Sequence, residues 1–131
     1  MDEIRIDSSD VTRLAARIDK TAAAAIGEVE QVVAKGSLNI KNGAKERIGR
    51  GPYLPRYSAA IGYDMWSTPT AVRSEIGPDK DKAQGPLGNI LEYGSPGRAP
   101  RPHLGPAADE EEPRLERALE DAVVKAIEAG L

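Results

Sequence analysis

His103 is the single histidine of this 131-residue chain, which has no cysteine, so it is the one side chain that ordinarily titrates near neutrality. It lies in the run Arg101-Pro102-His103-Leu104-Gly105-Pro106, with no carboxylate at the spacing of a catalytic motif. A lone histidine in such a loop reads as a packing or hydrogen-bonding residue rather than a general base. Gly49-Arg50-Gly51-Pro52 lacks the Lys-Ser/Thr pair and the entry strand of a phosphate loop. No zinc-ligand spacing occurs either. The residue inventory therefore points away from catalysis, and neither a metal nor a cofactor is expected.

Two charged groups remain. Lys41, Lys45, Arg47, Arg50 and Arg56, interleaved with Tyr53 and Tyr57, form the best nucleic-acid signal. Such a patch would bind DNA phosphates without sequence preference and with strong salt dependence. Glu46 dilutes it, and the formal net charge of -3 argues against binding nucleic acid with the whole surface. The acidic run Asp109 to Glu112 is expected to sit at the positive end of a helix, where carboxylates are favourable without any ligand. Arg98 and Arg101 can pair with that run, in the same chain or a neighbouring one, or remain solvated.

The elements that would position these groups are set by periodicity. Val11, Leu14, Ile18, Ala22, Ala25, Val29 and Val32 step by three or four, the stripe of a long amphipathic helix, with Ser8, Ser9 and Asp10 as cap chemistry. Part of this stripe can pack between subunits, although for most of its length it is expected to cover a sheet. Gly36, Gly43, Gly49 and Gly51 punctuate the next segment, so the helix over 8–48 is expected to be long and broken. Tyr57 to Tyr63 and Thr70 to Ile76 read as antiparallel strands, with Gly77 to Lys82 as a charged turn. Leu87, Ile90 and Leu91 share one face of a short helix that Gly94 would stop. Prolines 96, 100 and 102 then make a stiff, extended loop.

The last helix carries Leu115, Leu119, Ala122, Val123, Ala126 and Ile127 on one face. Its start is open between a capping box at Asp109 and Glu112 and Pro113 as the first helical residue. The fold class is accordingly α+β: a long N-terminal helix, a small antiparallel sheet of about three to four strands, a short helix, a Pro-rich loop, and a C-terminal helix packed on the sheet. One domain is expected over 1–131, divided as 8–48 helix, 49–85 strands and hairpin, 86–94 short helix, 95–108 loop and 109–131 helix. With 40% hydrophobic but only 4% aromatic residues, small aliphatic side chains must fill the core. No apolar run approaches the ~20 residues that span a bilayer, and Met1-Asp2-Glu3 does not open a signal peptide. A soluble protein, intracellular at synthesis and making no membrane contact, is expected.

Leu91-Glu92-Tyr93-Gly94-Ser95 and Arg101-Pro102-His103-Leu104-Gly105-Pro106-Ala107 resemble segments of the head-to-tail connector proteins of long-tailed bacteriophages, the neck, tail-completion and tail-terminator proteins. The order of the pieces is similar as well: Val11 to Lys35, Arg47 to Ile61, Ala71 to Pro78, Asn89 to Gly94, the proline loop, and Leu115 to Ile127. The chain departs from that pattern at His103, where those proteins usually carry Phe, at Ser95, where they carry Thr, and at Gly51 to Arg56, which replaces a Thr-Gly-x-Leu-Arg entry to the first strand. The resemblance implies a structural virion protein, assembled in the bacterial cytoplasm, that forms a ring with itself, a hexamer, between the capsid and the tail. Its partners would be the adjacent connector or stopper ring and the tail tube or its terminator. Glu92, Tyr93, Gly94, Arg98, Pro100, Arg101, Pro102, His103, Leu104 and Pro106 are the candidate ring-interface residues. Lys41, Lys45, Arg47, Arg50 and Arg56 would then face passing DNA. The alternative is a small nucleic-acid-binding or regulatory protein that uses the same basic segment.

Overall fold

A computed structural model of the chain describes residues 8–49 and 53–130. Helix α1 (Ser8–Ile48) runs unbroken for 41 residues, roughly 60 Å. Ser8, Ser9 and Asp10, expected to cap it, are already helical, so its cap falls outside the described residues. The expected breaks at Gly36 and Gly43 do not occur. Both glycines face helix α4 (Leu104–Gly130): a Cβ on Gly36 would meet Leu115 Cδ1 at 2.8 Å, and one on Gly43 would meet Ala107 Cβ at 3.3 Å. Glycine costs about 1 kcal/mol in a helix interior relative to alanine, and here the close approach of a second helix offsets that cost. Gly49 ends α1 in the left-handed region, φ +62, with its amide donating to the Lys45 carbonyl at 3.0 Å.

α4 lies antiparallel along α1. Ala107 is beside Gly43, Leu115 beside Gly36, and Lys125 Nζ is 3.8 Å from the Glu28 carboxylate. It starts at Leu104, well before either start expected from the sequence. The loop is thereby shortened to 94–103, Pro106 falls in the first turn of the helix, and Pro113 in its interior. The acidic run does not cap this helix. Glu110 instead pairs with Arg47, and the nearly buried Glu111 pairs with Arg114 and accepts from Asn39 Nδ2 at 3.1 Å. These cross-helix contacts and the buried Ala107 hold α4 on α1 ahead of Pro113, which explains why the proline does not set its start.

Between the two long helices the chain forms α2 (Tyr57–Ala60), β1 (Ile61–Ser67), β2 (Val72–Pro78), a 3₁₀ turn at Gly85–Leu87, and α3 (Gly88–Tyr93). Among the described residues the sheet has two strands, paired antiparallel from Ile61↔Pro78 to Ser67↔Val72, fewer than the three to four expected. Tyr57 to Ala60, read as the start of a strand, is a helical turn, and 79–83 is a series of turns. The pairing places Ile61, Tyr63, Met65, Ser74 and Ile76 on one face. That face meets α1, where Ser37 and Ser74 hydroxyls lie 2.6 Å apart. Asp64, Trp66, Arg73 and Glu75 lie on the other face, with the Arg73 guanidinium 5.9 Å from the Trp66 ring centre.

α4 therefore packs along α1 rather than on the sheet, and only the C-terminal part of α1 covers strands. The core gathers where the elements converge: Ala44, Ile48, Leu54, Tyr57, Ile61 and Ala107, flanked by Ile40, Leu87, Leu91 and Leu104. Gly85 closes that region, since a Cβ there would collide with the Asp79 carbonyl and come within 3.2 Å of Lys80 Cα. Asp79 cannot yield, because its amide is bonded to Ala60 and its carbonyl to Lys82. Gly85→Ala should accordingly cost about 2–3 kcal/mol, visible as a lowered denaturation midpoint with unchanged slope.

Candidate docking site

The loop between α3 and α4 is anchored at both ends by hydrogen bonds. α3 stops at Gly94, φ +78, and the space beside it is closed: a Cβ would lie 2.9 Å from both the Arg98 carbonyl and the Pro100 nitrogen. Ser95 and Arg98 exchange backbone hydrogen bonds of 3.1 and 2.9 Å around Gly97, φ +87. The first half of the loop is therefore a tight turn, and 99–103 follows without regular secondary structure. Arg101 then returns to the body, with its amide donating to the Leu91 carbonyl at 2.6 Å and its guanidinium to the Ile48 carbonyl at 3.3 Å. This second bond satisfies one of the last carbonyls of α1.

Glu92 supplies the cap of α4. Its Oε1 accepts from the amides of His103 at 3.2 Å and Leu104 at 2.8 Å, and its Oε2 accepts from Gly105 at 3.4 Å. The cap thus comes from another helix, eleven to thirteen residues away, instead of from the usual local Ser, Asp or capping box. Burial acts to raise the carboxyl's pKa, but the three amides, together with His103, outweigh it and hold it below the ordinary 4.5.

His103 is fully buried. Its Nδ1 lies 3.0 Å from the Arg101 carbonyl, which can only accept, so in the neutral ring Nδ1 carries the hydrogen and Nε2 accepts. The Tyr57 hydroxyl, 2.7 Å from Nε2, is the donor, and the two rings meet edge to face with centres 5.3 Å apart. Burial, and secondarily the charge of Glu92, pushes the tyrosine hydroxyl up to about 12, so it keeps its proton. No spacing in the sequence links Tyr57 or Glu92 to His103.

The structure sorts the expected interface residues into two groups. Glu92, Gly94, His103 and Leu104 are internal to this knot and shape it. Tyr93, at 77% exposure, and Arg98, Pro100 and Pro102 face outward; Arg101 is exposed but its guanidinium is turned back to the Ile48 carbonyl, and Pro106 is half-buried in α4. Arg98 and Arg101 line a hollow of about 210 Å³ together with Tyr53, Leu54, Ile90 and Leu91. Tyr53, 88% exposed, and Ile90 were not among the expected interface residues. Tyr53 is placed there by Gln84, whose Nε2 donates to the Tyr53 carbonyl at 2.9 Å and whose Oε1 accepts from the Arg56 amide at 2.7 Å.

The basic segment is divided. Lys41 and Lys45 are one turn apart on α1, whereas Arg47 turns to α4, pairs with Glu110 and donates to the Gly43 carbonyl at 3.1 Å. Arg56 is exposed, and Arg50 lies outside the described residues. Of the two interleaved aromatics, Tyr53 is exposed and Tyr57 is in the core. Among the described residues no cluster of His, Cys, Asp and Glu could hold a metal ion, and no helix is long and apolar enough to cross a membrane. Comparison with protein-family models, curated proteins and solved structures finds no match.

Two measurements test the anchoring. Tyr57→Phe strands a buried acceptor and should cost about 1–3 kcal/mol, as should His103→Phe, which strands the tyrosine hydroxyl. The double variant should cost clearly less than the sum of the two in denaturant melts. For Glu92, the folded pKa lies below the unfolded one, so its contribution is complete above the unfolded value and fades as pH falls through the folded value. Glu92→Gln should lose about 1 kcal/mol near neutrality, and its stability should fall less steeply than wild type below pH 4.5.

Proposed function

We propose that this chain is a structural assembly protein of the head-to-tail connector of a long-tailed bacteriophage, one that forms a ring and docks on its neighbours through the α3–α4 loop. The observation that carries this reading is the anchored patch itself: Tyr53 and Ile90 with Arg98 and Arg101 around an open hollow of mixed polar and apolar lining, and the exposed Tyr93 at the end of α3. Tyrosine and arginine are the residue types most enriched in the energetically dominant parts of protein interfaces. Here they stand on a base fixed by Glu92 and Arg101, which lowers the ordering cost of docking. The element order, with a long helix, a hairpin, a short helix closed by Gly94, a proline loop and a terminal helix, agrees with the order in the proteins that the sequence resembles. The hollow has no acid, base or nucleophile on its lining beyond Tyr53 and the two arginines, so it suits a partner surface better than a substrate.

Replacing Pro100 and Pro102 together by glycine should leave helicity at the wild-type level and lower the melting midpoint modestly, because both are exposed and glycine acts mainly by loosening the unfolded chain. Joining of filled heads to tails should nevertheless fall to background when the variant is the only source of this protein during infection. Particle yields equal to wild type from that variant would overturn the docking role.

A further inference from the structure

The hairpin has two free edges, and they differ. The Asp79 amide bonds the Ala60 carbonyl and the Thr68 amide the Ala71 carbonyl, both at 2.8 Å. These two bonds fix which rungs of the ladder are hydrogen-bonded, because bonded and non-bonded rungs alternate in an antiparallel pair. With the register Ile61↔Pro78 to Ser67↔Val72, the amides and carbonyls of Tyr63 and Met65 point away from β2. Among the described residues they meet no backbone partner. The free edge of β2 is guarded: Pro78 offers no N–H there, and Arg73 and Glu75 flank it with charge, the usual devices against strand addition. β1 has a single charged residue, Asp64, in its seven. α1 also lies nearer β2, where Ser37 reaches Ser74, and leaves Tyr63 36% exposed although that side chain is on the helix-covered face.

We propose that the open edge of β1 takes up residues 3–7 of a second copy of the chain as a third, antiparallel strand. Residues 1–7 lie outside the described residues, and their sequence alternates, with Ile4 and Ile6 set between Glu3, Arg5 and Asp7, the pattern of a strand with one covered face. The fitting register puts Ile4 opposite Met65, Arg5 opposite Asp64 and Ile6 opposite Tyr63. The main chain of Ile4 and Ile6 then bonds the idle amides and carbonyls of Met65 and Tyr63, and their side chains fall on the α1 face beside the exposed Tyr63. Arg5 stands against Asp64 on the other face, in a non-bonded rung, where opposite side chains are closest. Among the described residues Asp64 has no ion-pair partner. The arm cannot come from the same copy. Ser8 stands about 43 Å along α1 from Ser37, which meets the sheet, whereas Ile4 reaches about 14 Å from Ser8 at most. Each copy gives one arm and accepts one, so exchange closes as a pair or as a ring. No residue of the α3–α4 loop takes part, and the contact stands apart from docking by that loop.

Sedimentation of the purified full chain over a concentration series, with circular dichroism to follow folding, provides the test. The wild type should assemble beyond the monomer, and a chain lacking residues 1–7 should stay monomeric with its helicity kept. Arg5→Glu and Asp64→Arg should each raise the dissociation constant about fivefold or more. An equimolar mixture of those two variants should recover wild-type assembly, because each supplies the charge that the other lacks. Ile6→Pro, which removes the N–H aimed at the Tyr63 carbonyl, should abolish it. The Pro100→Gly/Pro102→Gly variant should assemble like wild type, so a loss of head-to-tail joining there concerns the loop alone. A full chain that sediments as a monomer throughout, or an assembly that survives removal of residues 1–7 or ignores the charge reversals, would overturn the proposal.

Discussion

The hydrogen bond from Tyr57 to His103 ties together parts of the chain that share no sequence neighbourhood. Tyr57 opens the turn that leads into the hairpin, and His103 is the last residue before α4. Both side chains are shut away from water, where an unmet polar group costs more than the bond itself contributes. The pair is therefore a constraint on register more than a source of net stability. Once Tyr57 and His103 must meet, the start of α4 is fixed against the end of α1. The Glu92 carboxylate then lies within reach of three amides that would otherwise be left without partners.

With its start held in this way, α4 has one direction left, back along α1. The absence of phenylalanine and the scarcity of other aromatics make that packing close. Alanines and glycines bring the helices together where larger side chains would separate them, and Gly36 and Gly43 serve as contact surface instead of as breaks. Polar groups fill the remaining seam: Asn39, Glu111 and Arg114 bond across or along it, and Arg47 reaches Glu110. The arrangement presents two surfaces at opposite ends of α4, one an arginine- and tyrosine-edged hollow, the other an open apolar groove beside Ile18 and Ile127.

Periodicity made the helices legible, because the apolar stripe of α1 and that of α4 repeat every three or four residues regardless of what covers them. The stop at Gly94 was equally legible, since a left-handed residue after a short apolar helix favours glycine. That His103 packs and hydrogen-bonds could be read from its lack of motif partners, although its complete burial and its bond to Tyr57 could not. Errors gathered where a local rule competed with a distant contact. A mid-helix glycine favours a break by local preference, but α4 lies against Gly36 and Gly43. Asp109, Glu112 and Pro113 carry the local signals of a helix start, whereas the cap comes from Glu92. Tyr57 to Ala60 has the aromatic and apolar character of a strand, yet it forms a helical turn with Tyr57 and Ala60 buried.

The sequence by itself determined the α+β class and the order of the two long helices, the hairpin and the short helix closed by Gly94, because these depend on backbone preferences and on the spacing of apolar residues along a single element. Tertiary structure alone decided which expected interface residues face outward, where α4 begins, that α4 covers α1 rather than the sheet, and that the basic segment is divided between faces. Those outcomes depend on pairs such as Tyr57 with His103, Glu92 with Leu104, and Arg47 with Glu110. A hydrogen bond or ion pair between residues a dozen or more positions apart leaves no periodic trace in the chain, and only the packed fold brings its two halves together.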